Sequence, residues 1–140
     1  MTVSIAFANG ESIAEDTTIY KGISKSQLLT FLKNEGINAD MVTEEIMSLK
    51  LSGKKMFLKI SSSGTAISFL YMPDNNKATL EKVNAFNQNN DVGRAFLFED
   101  GTPMLQLDLN FEGGVSAANI KHYISKFTYI IRLFDSSMGN

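Results

Sequence analysis

The chain of 140 residues has no cysteine, no tryptophan, one histidine and two prolines. Without cysteine there can be no disulfide, no thiol nucleophile and no thiolate metal site. One histidine cannot build a zinc or other transition-metal centre from the usual ligands. No metal or other cofactor is expected. Neither sign of charge dominates: 13 Lys and Arg stand against 15 Asp and Glu, for a net charge of −2 and a pI near 5.4. The electrostatic footprint of a nucleic-acid binder is therefore missing. No apolar run is long enough to span a bilayer, so membrane insertion is not expected. What the chain does have is apolar material. It is 44% hydrophobic, with ten Phe and four Tyr, enough for one core in one domain.

Residues 1–22 show no clear period and read as a flexible N-terminal arm ahead of a single domain over 23–140. Within the arm, Ala6-Phe7-Ala8 has the A-x-A spacing that ends a signal peptide. The charged n-region and longer apolar core of a complete signal do not precede it. Two readings stand. The triplet arises by chance and the protein is cytoplasmic, or Met1 replaces part of a leader ending at Ala8 and the protein is periplasmic.

The domain opens with "ISKSQLLTFLKNEGI". Ser24 and Gln27 have capping-box spacing, and Ile23 and Leu28 can form a hydrophobic staple. Gly36 can end the helix. This predicts a helix over 25–35 with Leu28, Leu29 and Leu32 facing inward. From Glu45 the period falls to about two. Met47, Leu49 and Leu51, then Met56, Leu58 and Ile60, then Ile67, Phe69 and Tyr71 mark a three-stranded antiparallel meander that Pro73 ends.

A second helix is predicted over 79–88. Two strands follow around "EDGT", where Asp-Gly signals a hairpin turn. The expected facing puts Phe96, Phe98, Leu105, Leu107 and Leu109 on one side and Leu97, Met104, Gln106 and Asp108 on the other. Ser116 is a natural N-cap for a last helix over 117–134, with Ile120, Ile124, Phe127, Ile131 and Phe134 as its inner stripe. The expectation is an α+β fold in the order α-β-β-β-α-β-β-α. Its five-stranded antiparallel sheet carries helices on one face.

Catalytic chemistry is hard to place. His122 points away from Ile120 on the last helix and into solvent, so a Ser-His-Asp arrangement has no base. Asn87, Asn89 and Asp91 alternate as in a calcium loop. Counted from Asn87, however, the required glycine and the bidentate acid positions are held by Val92 and Phe98. "EGGVS" resembles a phosphate-binding turn without the P-loop lysine. Its glycines are better explained as a strand-to-helix turn. No enzyme is expected.

Two other features are informative. The stretch "VNAFNQNND" is rich in amides, and helical spacing puts Asn84 and Asn87 on the same side as Leu80 and Val83. Buried amides must be hydrogen-bonded. The pair reads as a latch between the second helix and the fourth strand, or, with Arg94, as the polar part of a ligand pocket between that helix and the sheet. Extra apolar side chains form the second feature. Tyr129 and Leu133 lie on the polar side of the last helix, while Phe57, Leu70, Leu97 and Met104 lie on strand faces opposite the core. Together they suggest a protein interface, although single exposed apolar residues are ordinary.

The ordered motifs Asn84-Ala85-Phe86-Asn87, Arg94-Ala95-Phe96, Asp100-Gly101, Asp108-Leu109 and Gly113-Gly114-Val115-Ser116 resemble the YbjN family of bacterial proteins, described as regulators of sensory transduction. The similarity is specific over 79–134 and collinear over 24–72. Two departures are visible: the aromatic between the asparagines is often Trp and is Phe86 here, and the run after Asn87 is often basic and is amides here. The resemblance implies a fold like that of class I type III secretion chaperones, which are dimeric protein-binding modules without catalytic activity. A homodimer, with another protein as further partner, is the implied assembly. Some relatives look secreted, which gives the periplasm weight equal to the cytoplasm.

Overall fold

The computed structural model describes residues 5–8, 11–14, 16–74 and 77–140. Strands β1 (Ile5–Ala8) and β2 (Glu11–Ala14) pair antiparallel. The Ala6-Phe7-Ala8 triplet falls in β1. β3 (Ile19–Tyr20) precedes helix α1 (Lys25–Asn34). Then come β4 (Ala39–Met41), β5 (Ile46–Leu51), β6 (Lys54–Ile60) and β7 (Ala66–Tyr71), followed by α2 (Leu80–Asn89). The chain closes with β8 (Arg94–Leu97), β9 (Pro103–Asn110), β10 (Val115–Ser116) and α3 (Ala117–Met138). The main sheet is antiparallel in the order β4-β5-β6-β7-β9-β8. It has six strands, not the expected five. The additional strand, β4, is three residues long, too short for an alternation of period two to show.

The helices follow from their caps and stripes. Ser24 and Gln27 form both bonds of the capping box. At the other end Ile37 N–H reaches Leu32 O and Gly36 N–H reaches Lys33 O, closing the last turn. Leu28 and Leu32 are buried as expected, but Phe31 takes the inward place given to Leu29, which is only half-buried. The apolar stripe of α3 runs from Ala117 through Ile120, Ile124, Phe127, Ile131 and Phe134 to Met138. It packs with Met47, Leu58, Phe69 and Leu107 from one face of the sheet, in a single core shared with α1 and α2. Burying one such side chain contributes about 1.5–3 kcal/mol, so this shared face dominates the fold's stability.

The β8–β9 hairpin departs from expectation in its phase. Phe98 N–H bonds Thr102 O and Gly101 N–H bonds Phe98 O, so three residues, not two, span the turn. Gly101, at φ 84°, supplies the left-handed residue of this bulged turn. One extra residue flips every side chain of β8 to the other face. Ala95 and Leu97 therefore sit opposite Leu105 and Pro103, while Phe96 sits opposite Met104. Leu97 turns inward and packs against the core. Phe96 and Phe98 turn outward.

The expected N-terminal arm of residues 1–22 is not uniformly free of structure. β3 pairs with β10, and Thr18 is buried. Thr18 O and Asp16 O accept from Ala117 N–H and Ala118 N–H, while Ser116 Oγ accepts from Asn119 N–H. Three unpaired donors of the first turn of α3 are thus satisfied. Lys121 fixes the strap by pairing with Asp16 at 2.5 Å and Glu35 at 3.5 Å. The second glycine of "EGGVS" serves this arrangement. A Cβ on Gly114, at φ 99°, would lie 2.8 Å from Ile19 Cγ2.

Candidate functional site

The amide-rich stretch falls at the end of α2. Val83 and Phe86 are the buried residues of this helix. Leu80 is 64% exposed, and Asn84 and Asn87 are exposed too, so the expected inward facing of Leu80 and of both asparagines is corrected. Phe86 anchors the helix instead, with its ring edge-on to Phe134 at 5.3 Å. Asn87 behaves differently from Asn84. Its Nδ2 donates to Ala95 O at 2.9 Å, and its Oδ1 accepts from Ala95 N–H at 2.9 Å. Asn90 closes the helix by donating from Nδ2 to Phe86 O.

Asn84, Asn87 and Arg94 do not converge. Arg94 stands exposed on the outer side of β8, its guanidinium 5.6 Å from the centre of the Phe96 ring. The cleft beside α2 is lined by residues such as Thr79, Lys82, Ala85 and Asn90, and by none of these three.

The second candidate is the face of the sheet opposite the helices. Register places Phe57, Leu70, Gln106 and Arg94 in one row across β6, β7, β9 and β8. The adjoining row holds Met104 and Phe96. Phe98 lies edge-on to Phe96 at 5.4 Å and is 46% exposed, while Met104 beside them is buried. A groove of about 550 Å³ crosses this face from Phe96, Phe98 and Met104 past Leu70 to Lys59 and Glu45. Ser68 and Gln106 both donate to Asp108 Oδ1 and fix its polar part. Of the residues expected here, Phe57, Leu70 and Met104 are on this face, and Leu97 is replaced by Phe96 and Phe98. Tyr129, 54% exposed, and half-buried Leu133 are on α3, a separate surface. His122 is exposed.

A third group was not singled out from the sequence. Asp135, 6% exposed, lies one residue beyond Phe134 on the buried side of α3. Tyr71 Oη donates to both of its carboxylate oxygens, at 2.9 and 3.1 Å. Lys54 Nζ pairs with Oδ2 at 2.7 Å. Burial first, and then the Asp135 carboxylate, push the Tyr71 phenol well above its ordinary range, so it stays a donor. The available signal was a carboxylate continuing an apolar stripe at helical spacing. Among the described residues no group of three or more His, Asp or Glu could hold a metal, and no helix is long and apolar enough to cross a membrane.

Comparison with known proteins gives one family. The family model YbjN, "Putative bacterial sensory transduction regulator", matches residues 24–139. No curated protein matches the chain. Among solved structures, the crystal structure of YbjN, "a putative transcription regulator from E. coli", aligns with TM-score 0.67 at 16% identity, covering 84% of this chain and 91% of that one. At that identity the likeness speaks for the fold.

Proposed function

Because this chain belongs to the YbjN family of bacterial regulators, we propose that it is a non-enzymatic regulatory module that acts by binding protein, as a homodimer, through the sheet face that no described helix covers. The observation that carries this is the contiguous outer patch of Phe57, Leu70, Phe96, Phe98 and Met104. Aromatic residues and methionine at the centre of a patch, with charged residues around it, are the composition of an interface core and rim. Six strands about 4.8 Å apart and about 20 Å long span on the order of 500 Å² in projection. That approaches one side of a standard interface, about 800 Å² of accessible surface.

A dimeric, chaperone-like protein-binding role fits the same features, since a small α+β unit with one open sheet face can present that face to a second copy. A ligand pocket between α2 and the sheet is the weaker reading. Both amide atoms of Asn87 are taken by Ala95, and Arg94 faces away. Light scattering after gel filtration, over a rising concentration series, tests the homodimer. The expected mass is twice 15.4 kDa; a monomer at the highest concentration would overturn it.

A further inference from the structure

We infer that two copies of this chain pack sheet to sheet about a two-fold axis that runs parallel to the strands, between β6 and β7. The inference rests on the proposed homodimer and adds the orientation of the second copy.

A single row of side chains crosses the whole outer face. Register links Asp40 on β4 to Ser48 on β5, Ser48 to Phe57 on β6, and Phe57 to Leu70 on β7. It continues from Leu70 to Gln106 on β9 and from Gln106 to Arg94 on β8. Directly opposed residues share a face, so all six point away from the helices. From one edge to the other the row reads acid, hydroxyl, two apolar groups, amide, base. Asp40 and Arg94 are exposed, and the four residues between them are half-buried. Among the described residues neither Asp40 nor Arg94 has an ion-pair partner. Five strand spacings of about 4.8 Å put the two about 24 Å apart, too far to meet within one chain.

The row is complementary to its own reverse. Aligned sheets packed face to face keep their strand directions within about 30°. Two axes in the plane of the interface satisfy this, one parallel to the strands and one perpendicular to them. The parallel axis reverses the row. Asp40 then meets the partner's Arg94, Ser48 meets the partner's Gln106, and Phe57 meets the partner's Leu70, each contact occurring twice. The ends of the row lie about 12 Å from the axis, where a 30° crossing displaces them by about 6 Å, within the span of an extended arginine. The adjoining row agrees. Lys59 sits across from Ser68, and Ser68 from Asp108, so the same rotation brings Lys59 within one strand of the partner's Asp108.

The perpendicular axis does the opposite. It sets Asp40 against the partner's Asp40 and Arg94 against the partner's Arg94. Lys55 and Lys59 flank Phe57 at equal spacing on β6, so Lys55 also falls against the partner's Lys59. Like charges opposed across an interface suppress that arrangement. Exposed ion pairs are individually weak. The apolar centre therefore supplies the affinity, and the charged ends select the orientation.

The test is sedimentation equilibrium at low salt on four proteins: wild type, Asp40→Arg, Arg94→Glu and the variant carrying both changes. Each single change makes both end contacts like-charged and should weaken the dimer at least about fivefold. The double variant restores unlike charges across the axis and should return to within about twofold of wild type. Sites about 24 Å apart in one chain act additively, so this recovery reads a contact between copies. If wild type dimerises and the double variant is no tighter than the single ones, the arrangement is overturned and the homodimer stands. A wild type that stays monomeric overturns both.

Discussion

The side chain of Asn87 pairs with both backbone groups of Ala95, as a neighbouring strand would. β8 is an edge strand of the six-stranded sheet, and its outward N–H and C=O would otherwise need water or another chain. Helix α2 lends a side chain to close that edge. Asn87→Ala should therefore cost about 0.5–1.5 kcal/mol in a urea melt, since water reaches this partly buried edge. Asn84→Ala and Asn89→Ala, which are exposed like Asn87 but remove no bond to Ala95, should each stay within about 0.5 kcal/mol. Equal stability of all three variants would mean that water replaces the Asn87 amide without loss.

Gly114 and Ile19 should be energetically coupled. The glycine has φ 99°, and a Cβ on it would meet Ile19 Cγ2 at 2.8 Å. Gly114→Ala thus adds a clash to an unfavourable backbone angle, and a loss above about 1 kcal/mol is expected. In an Ile19→Ala background the clash disappears and only the backbone part remains. A double-mutant cycle should show the second loss clearly smaller than the first. Strict additivity would show that the strap over α3 yields freely.

Tyr71 gives a pH dependence. Its folded pKa is raised above the ordinary value of 10.0, so the folded state holds the proton more tightly than the unfolded state. That contribution is fully present below about pH 10 and is lost as pH rises through the folded pKa. Wild-type stability should therefore fall above pH 10. Tyr71→Phe should be less stable at pH 7 by about 1–2 kcal/mol, for the lost bonds to Asp135, and should fall less steeply above pH 10. Parallel profiles for the two proteins would rule out this role for the phenol.

Much of the fold was legible because local rules and tertiary packing agree. Ser24 and Gln27 fit the capping box, the alternation of Met56, Leu58 and Ile60 fits a half-buried strand, and the stripe from Ile120 to Phe134 fits one helix face. The failures are equally physical. Asp100-Gly101 suits both a two-residue and a three-residue turn, and only the hydrogen bonds of Phe98 choose between them. That choice moved Leu97 inward and Phe96 and Phe98 outward. Asn84 and Asn87 look alike in sequence, but only Asn87 meets a strand edge. The partners of Asp135 come from two strands more than sixty residues away, where no local pattern connects them. The strap of residues 16–20 carries too few residues in β3 to show a period.

We propose that copies of this chain associate through the outer face of the sheet rather than through the polar side of α3. Sedimentation velocity on two variants separates these surfaces. Phe98→Glu puts a charge in the middle of the aromatic patch, and Tyr129→Glu puts one on the exposed side of α3. Both positions are solvent-facing in the single chain, so both variants should fold. Wild type and Tyr129→Glu should sediment as dimers, while Phe98→Glu should sediment as a folded monomer. A dimer that persists in Phe98→Glu and dissociates in Tyr129→Glu would contradict it.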